Sequence, residues 1–218
     1  MPSDSGSQDQ GRKKIERKYL NQDFMKKDII LAGVGGQGIL SIAAIIATAA
    51  VKAGMFIKQA EVHGMSQRGG DVQSNLRISD KKIYSDLIPA GKADMIIAIE
   101  PMESLRYLPM LAEDGWLITN SNPHINIPNY PALEKILDEV RNVPNHVIID
   151  ADHMATAIGS AKYANMIILG AASSHAGFSF EELTDAIRIV FQRKSDDIIE
   201  ANIRALEAGR NFARDTIT

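Results

Sequence analysis

Between Ile29 and Val51 the chain carries no charged residue, and four glycines, Gly33, Gly35, Gly36 and Gly38, interrupt the first half of that stretch. A run of this length could cross a bilayer as a helix. The glycines argue for another arrangement. They separate a short apolar run at 29–32, in the strand expected at 28–32, from an alanine- and isoleucine-rich run at 39–53. A buried strand, a turn and a buried helix fit that pattern better than one spanning helix. The helix is small or apolar on nearly every side, so it must pack on more than one face.

The rest of the chain repeats the alternation of strand and helix. Strands are expected at 55–61, 72–79, 95–99, 116–120 and 146–150. Helices are expected at 103–112, 131–141, 152–169 (with Gly159 as a break), 180–194 and 196–214. Ser179 and Glu182 have capping-box spacing before the helix at 180. In 72–79 apolar Val72, Leu76 and Ile78 alternate with polar residues. A hairpin to 82–88 across Ser79-Asp80-Lys81 is expected. The prolines of 122–131 mark a loop that crosses the surface. The strongest strands are continuous apolar runs, as in a parallel sheet covered on both faces. The expected fold is α/β: a three-layer α/β/α Rossmann-like domain with a mostly parallel sheet and one antiparallel hairpin.

With 218 residues the chain is long enough to bury a core without staples. One domain is expected over 25–218. Residues 1–24 read as a disordered or expression-derived tail with a basic run at 12–18, and no apolar h-region follows to make a secretory signal. The formal net charge of −3 and an aromatic content of 6% give no sign of a nucleic-acid or membrane partner. The absence of cysteine excludes a disulfide scaffold, a cysteine nucleophile and an iron–sulfur cluster held by this chain's own thiolates. A cytoplasmic protein is expected.

Two strings carry the chemistry. Gly33-Val34-Gly35-Gly36-Gln37-Gly38 matches G-x-G-x-x-G, follows a strand and opens a helix. Backbone without Cβ atoms can approach a phosphate, and the helix start supplies free N–H groups and partial positive charge. A dinucleotide site also needs an acid near the end of the second strand, and Glu61 is the candidate. A tight crossover that only packs explains the same glycines. The second string runs from Glu61 to Asp71 and sets His63, Ser66, Gln67 and Arg68 among Gly64, Gly69 and Gly70. Leaving the carboxyl end of a strand, it should share one polar crevice with the glycine turn.

This pair of loops resembles the gamma-subunit or gamma-domain family of 2-oxoacid:ferredoxin oxidoreductases, and within it the indolepyruvate type. The resemblance extends over about 27–209. It implies a subunit of an enzyme that decarboxylates an aryl 2-oxoacid oxidatively, forming an acyl-CoA and passing electrons to ferredoxin. It implies that thiamine diphosphate, magnesium and 4Fe-4S clusters sit on a large partner subunit, with CoA as co-substrate and no cofactor held by this chain alone. The chain would be inactive by itself and could self-dimerise when isolated. A stand-alone NAD(P)-binding oxidoreductase and a non-catalytic scaffold subunit remain the alternatives.

On that resemblance the two loops face the partner, a phosphate or CoA. Arg68 is the natural anion partner, since a guanidinium holds a phosphate or carboxylate by two bonds. An ion pair with Asp71 or Glu61 is its structural alternative. Ser66 and Gln67 could add neutral hydrogen bonds, and Gly69 and Gly70 permit close approach. His63 could exchange a proton near neutral pH or simply bond to backbone. Asp150, Asp152 and His153 make a poor metal site without a distant fourth partner. Ser173-Ser174-His175 lacks the setting of a hydrolase nucleophile.

Overall fold

The computed structural model describes residues 25–63, 70–125 and 127–217. The expected tail at 1–24 lies outside the described residues. Six strands form one sheet: β1 Lys26–Val34, β2 Phe56–His63, β3 Asp71–Ser79, β4 Ala93–Ala98, β5 Leu111–Asn120 and β6 His146–Ile149. The helices are α1 Ile39–Lys52, α2 Pro101–Arg106, α3 Leu133–Arg141, α4 Ala151–Ile158, α5 Ala164–Ala172, α6 Phe180–Val190 and α7 Asp196–Ile217. Among the described residues no helix is long and apolar enough to cross a membrane.

The strand order is β2-β3-β1-β4-β5-β6. β1 pairs in parallel with β4, β4 with β5, and β5 with β6. β3 runs against both β1 and β2. It is inserted between the first two strands of the chain and sends β2 to the sheet edge.

Alternation in β1 explains why its apolar run is continuous. Ile29 and Leu31 point into a core with α1, α4, α5, α6 and α7, whereas Ile30 and Ala32 point into a second core with α2 and α3. Both faces are buried, so neither side of the strand is polar. α1 buries Ile39, Ile42, Ala43, Ile45, Ile46, Ala49 and Ala50 against the sheet and its neighbouring helices. The box at the start of α6 is complete: Ser179 Oγ accepts from Glu182 N at 3.1 Å, and Glu182 Oε2 accepts from Ser179 N at 2.7 Å.

Two local expectations fail for physical reasons. Residues 82–88 form no strand, because both edges of β3 are already taken by β1 and β2. The segment lies against the sheet instead. Arg77 Nη1 donates to the carbonyls of Ser85 and Leu87, at 3.1 and 3.0 Å, and Ile88 N donates to Asn75 Oδ1 at 3.4 Å. The antiparallel hairpin is β2–β3, across 64–70. The helix expected at 103–112 ends at Arg106. Pro109 holds a short 3₁₀ turn at Leu108–Met110, and β5 starts immediately after it at Leu111. Elsewhere Gly159 breaks the 152–169 helix in two, its φ of 132° lying where other residues are strained.

Candidate functional site

The carboxyl edge of the sheet is where the glycine turn sits. Gly36 and Gly38 adopt φ of 103° and 83°, conformations only glycine takes easily. Gln37 turns its side chain back on the loop, its Oε1 accepting from Val34 N at 2.7 Å. No side chain caps α1, and among the described residues the N–H groups of Ile39 and Leu40 have no acceptor. They are the open donors of a helix start. Asn165 of α5 closes the other side, donating from Nδ2 to Gly38 O at 3.3 Å.

Beside this turn lies a cleft of about 630 Å³ lined by Gly36, Gln37, Gly38 and Ser41 on one wall and by Lys162, Asn165, Lys194 and Asn202 on the other. Lys162 and Lys194 are exposed at its rim. Asp152 also lines the space, its carboxylate accepting from Asn120 Nδ2 at 2.7 Å, and the helix-start donors with the two cations leave room for an anionic group. The far wall comes from the C-terminal third of the chain, which the local motif could not reveal.

The second loop meets the first at its root, where Gly35 N donates to Gly70 O at 3.0 Å. Ser66, Gln67, Arg68 and Gly69 lie outside the described residues, as does the side chain of His63, whose backbone ends β2. Glu61 does not stand beside the glycine turn as a ribose-binding acid would. It is on β2, and β3 separates β2 from β1. Two strand spacings, about 9–10 Å, intervene where a dinucleotide fold has one.

A buried acidic network extends the same edge. Glu100 follows β4 and is fully buried. Its Oε2 accepts from Glu103 N at 2.9 Å, and its Oε1 accepts from His124 N at 3.3 Å and from the Tyr130 hydroxyl. The proline-rich loop is thereby tied to the sheet. Burial, reinforced by that bond to Glu100, raises the Tyr130 phenol. Glu103 holds Arg106 in two bonds of 2.7 and 3.1 Å. Burial first, and the neighbouring Asp71 next, push the Tyr107 phenol up to about 12. Sequence reasoning missed this network. The available signal was an acid followed by proline immediately after an apolar strand.

Asp150, Asp152 and Ser173 have structural partners. Asp150 caps α4 by accepting from His153 N at 3.0 Å, and Asp152 accepts from Asn120 Nδ2 at 2.7 Å. Among the described residues no group of three His, Asp or Glu is placed to hold a metal ion. Ser173 Oγ donates to Gly170 O, and His175 stacks on Trp116 with ring centroids 3.7 Å apart.

Comparison with known proteins aligns residues 28–212 with the family described as pyruvate ferredoxin/flavodoxin oxidoreductase. Indolepyruvate oxidoreductase subunit IorB of Archaeoglobus fulgidus is 38% identical over 198 residues, covering 87% of this chain and 96% of that protein. The Pyrococcus horikoshii subunit of the same name is 36% identical over 200 residues, covering 87% and 97%. Among solved structures, the Thermotoga maritima pyruvate oxidoreductase subunit PORC superimposes with a TM-score of 0.67 at 23% identity, over 88% of this chain and 97% of that one. The 2-oxoglutarate:ferredoxin oxidoreductase of Magnetococcus marinus, with 2-oxoglutarate, coenzyme A and succinyl-CoA bound, gives 0.70 at 21% identity. There the match covers 89% of this chain but 32% of the other.

Proposed function

Because the chain belongs to the pyruvate ferredoxin/flavodoxin oxidoreductase family, we propose that it is the smaller subunit of an indolepyruvate-type 2-oxoacid:ferredoxin oxidoreductase acting in the cytoplasm. The complex converts an aryl 2-oxoacid and CoA to an acyl-CoA and carbon dioxide, and the two electrons released reduce ferredoxin. The subunit is inactive alone. Its residues do not fit the redox cofactors: the chain has no thiolate for an iron–sulfur cluster. The clusters therefore belong to the large subunit, and the family likeness assigns thiamine diphosphate and magnesium to it as well.

The residues do fit the phosphates of CoA. The observation that carries this placement is the cleft in which Gly36 and Gly38, the open start of α1, Lys162 and Lys194 face one another. On the family resemblance, Arg68, Ser66 and Gln67 are assigned as further anion partners and His63, Gly69 and Gly70 as contacts of the large subunit, an assignment that rests on the sequence of the second loop. The NAD(P) reading loses one of its two supports, Glu61, which lies on the edge strand, and keeps only the glycine turn.

A tagged chain isolated from its source cells tests the assignment. Co-purification of a thiamine- and cluster-bearing subunit, with 2-oxoacid- and CoA-dependent reduction of a ferredoxin-like dye, is expected. A chain that elutes alone and binds NAD(P) saturably overturns it. Within an active complex, an unchanged KM for CoA in Arg68→Ala and Lys162→Ala variants overturns the placement of CoA while leaving the subunit role intact.

A further inference from the structure

β2 is an edge strand that pairs only with β3 among the described residues, and it does so over all eight of its residues without a bulge. It contains no proline and one lysine, Lys58. Lys58 and Glu61 are the charges on an edge whose free N–H and C=O groups can recruit another strand, and neither bars pairing in a register that keeps like charges apart. Phe56 and Val62, two residues of the same face, are 50% and 53% exposed. Among the described residues no helix covers that corner: β3 returns to β4 through 80–92 without one, and that segment meets β2 where Lys58 Nζ donates to Tyr84 O at 3.3 Å.

We infer that the β2 edge is a self-association surface: two copies of this chain join antiparallel, β2 against β2, about a twofold axis through Gln59. The pattern of β2 is complementary to itself in one register. With Gln59 opposite Gln59, Phe56 of each copy faces Val62 of the other, Lys58 faces Ala60, and Ile57 faces Glu61. Apolar residues meet apolar residues on the exposed face, and no like charges are opposed. Keeping each face continuous permits shifts only in steps of two paired residues. One such shift sets Lys58 against Lys58. The opposite shift carries Phe56 past the end of the partner strand. A twofold contact requires the same patch on both copies, which this strand supplies.

The chain has no native cysteine, so engineered ones report cleanly. The experiment uses the full chain, alone and co-expressed with its large subunit, under mild oxidation. Facing residues of antiparallel strands have Cα atoms about 4.5–5.5 Å apart, within disulfide range, whereas diagonal neighbours are about 7–8 Å apart. Gln59→Cys is expected to give a band of twice the chain mass on a non-reducing gel. A mixture of Lys58→Cys and Ala60→Cys chains is expected to do the same, while either alone stays single. The mixture also serves should Gln59→Cys fail to fold. A monomer by light scattering with no crosslink overturns the inference. So does faster crosslinking of Lys58→Cys with itself, or capture of the cysteine by the large subunit, which would make that subunit the occupant of the edge.

Discussion

Gly170 and Gly209 bring two helix backbones into contact. A Cβ on Gly170 would overlap the Leu206 carbonyl of α7, and one on Gly209 would overlap the Ile167 carbonyl of α5. Neither carbonyl can yield without breaking its own helix. Gly170→Ala and Gly209→Ala should therefore each cost about 3 kcal/mol by overpacking. Urea unfolding curves check this. Midpoints unchanged from the parent would show that α5 and α7 can slide apart freely.

The capping box of α6 predicts a smaller loss. Ser179→Ala removes the side-chain acceptor at Glu182 N, while the return bond from the residue 179 backbone N–H to Glu182 Oε2 stays available. The expected cost is about 1 kcal/mol. Ser179→Asp should recover most of it, because an aspartate can accept the same N–H. Thermal melts of the two variants decide, and equal losses in both would count against the cap.

Tyr107 predicts an alkaline limit. Its folded-state phenol titrates at about 12, above the ordinary value of 10.0, because burial and Asp71 disfavour the phenolate. The unfolded chain loses this proton first as pH rises. The contribution is whole below pH 10 and declines between pH 10 and 12. Melting temperatures of the parent should fall more steeply across that window than those of Tyr107→Phe. Parallel profiles would refute the assignment.

His175 acts at the other end. Burial, and Lys27 beside it, lower its pKa below 6.5, so the imidazole stacked on Trp116 stays neutral in the fold. The unfolded chain takes up this proton more readily. Stability is complete above pH 6.5 and falls as the solution is acidified through the folded-state pKa. An NMR titration of the His175 ring should place its midpoint below 6.5, and a midpoint at or above that value would contradict the burial argument.

Lys162 and Lys194 make the cleft testable by kinetics. In an assembled enzyme, replacing either by alanine should raise KM for CoA about tenfold, the effect of losing roughly 1.4 kcal/mol of binding. The KM for the 2-oxoacid should stay put, since these lysines line the cleft of the glycine turn. A rise in the 2-oxoacid KM alone would assign the cleft to the wrong substrate.

The parts of this fold that could be read in advance are those determined by local chemistry. Residues 29–51 announced strand, turn and helix because charge was excluded and glycine placed where φ is positive. Ser179 and Glu182 announced a helix start because both partners of the cap lie within four residues. Strand order was not legible, because nothing in 56–63 or 71–79 states that the later strand enters between the earlier two. That one insertion moved Glu61 away from the glycine turn and removed the edge on which 82–88 would have paired. The cleft was half legible for the same reason. Its glycine wall is a contiguous motif, whereas Lys162, Asn165, Lys194 and Asn202 meet it only after α4 to α7 have folded back across the sheet.

The central place of β1 also sets the order in which the molecule can be built. The strand is synthesised early, yet its two sheet neighbours are Asp71–Ser79 and Ala93–Ala98. At translation rates of about 5–20 residues per second, β1 and the apolar α1 wait for seconds before either partner leaves the ribosome. During that interval Ile29–Leu31 and the isoleucines of α1 have no native surface to cover them. A nascent chain arrested before β3 should bind a hydrophobic-segment chaperone, and one arrested after β4 should release it.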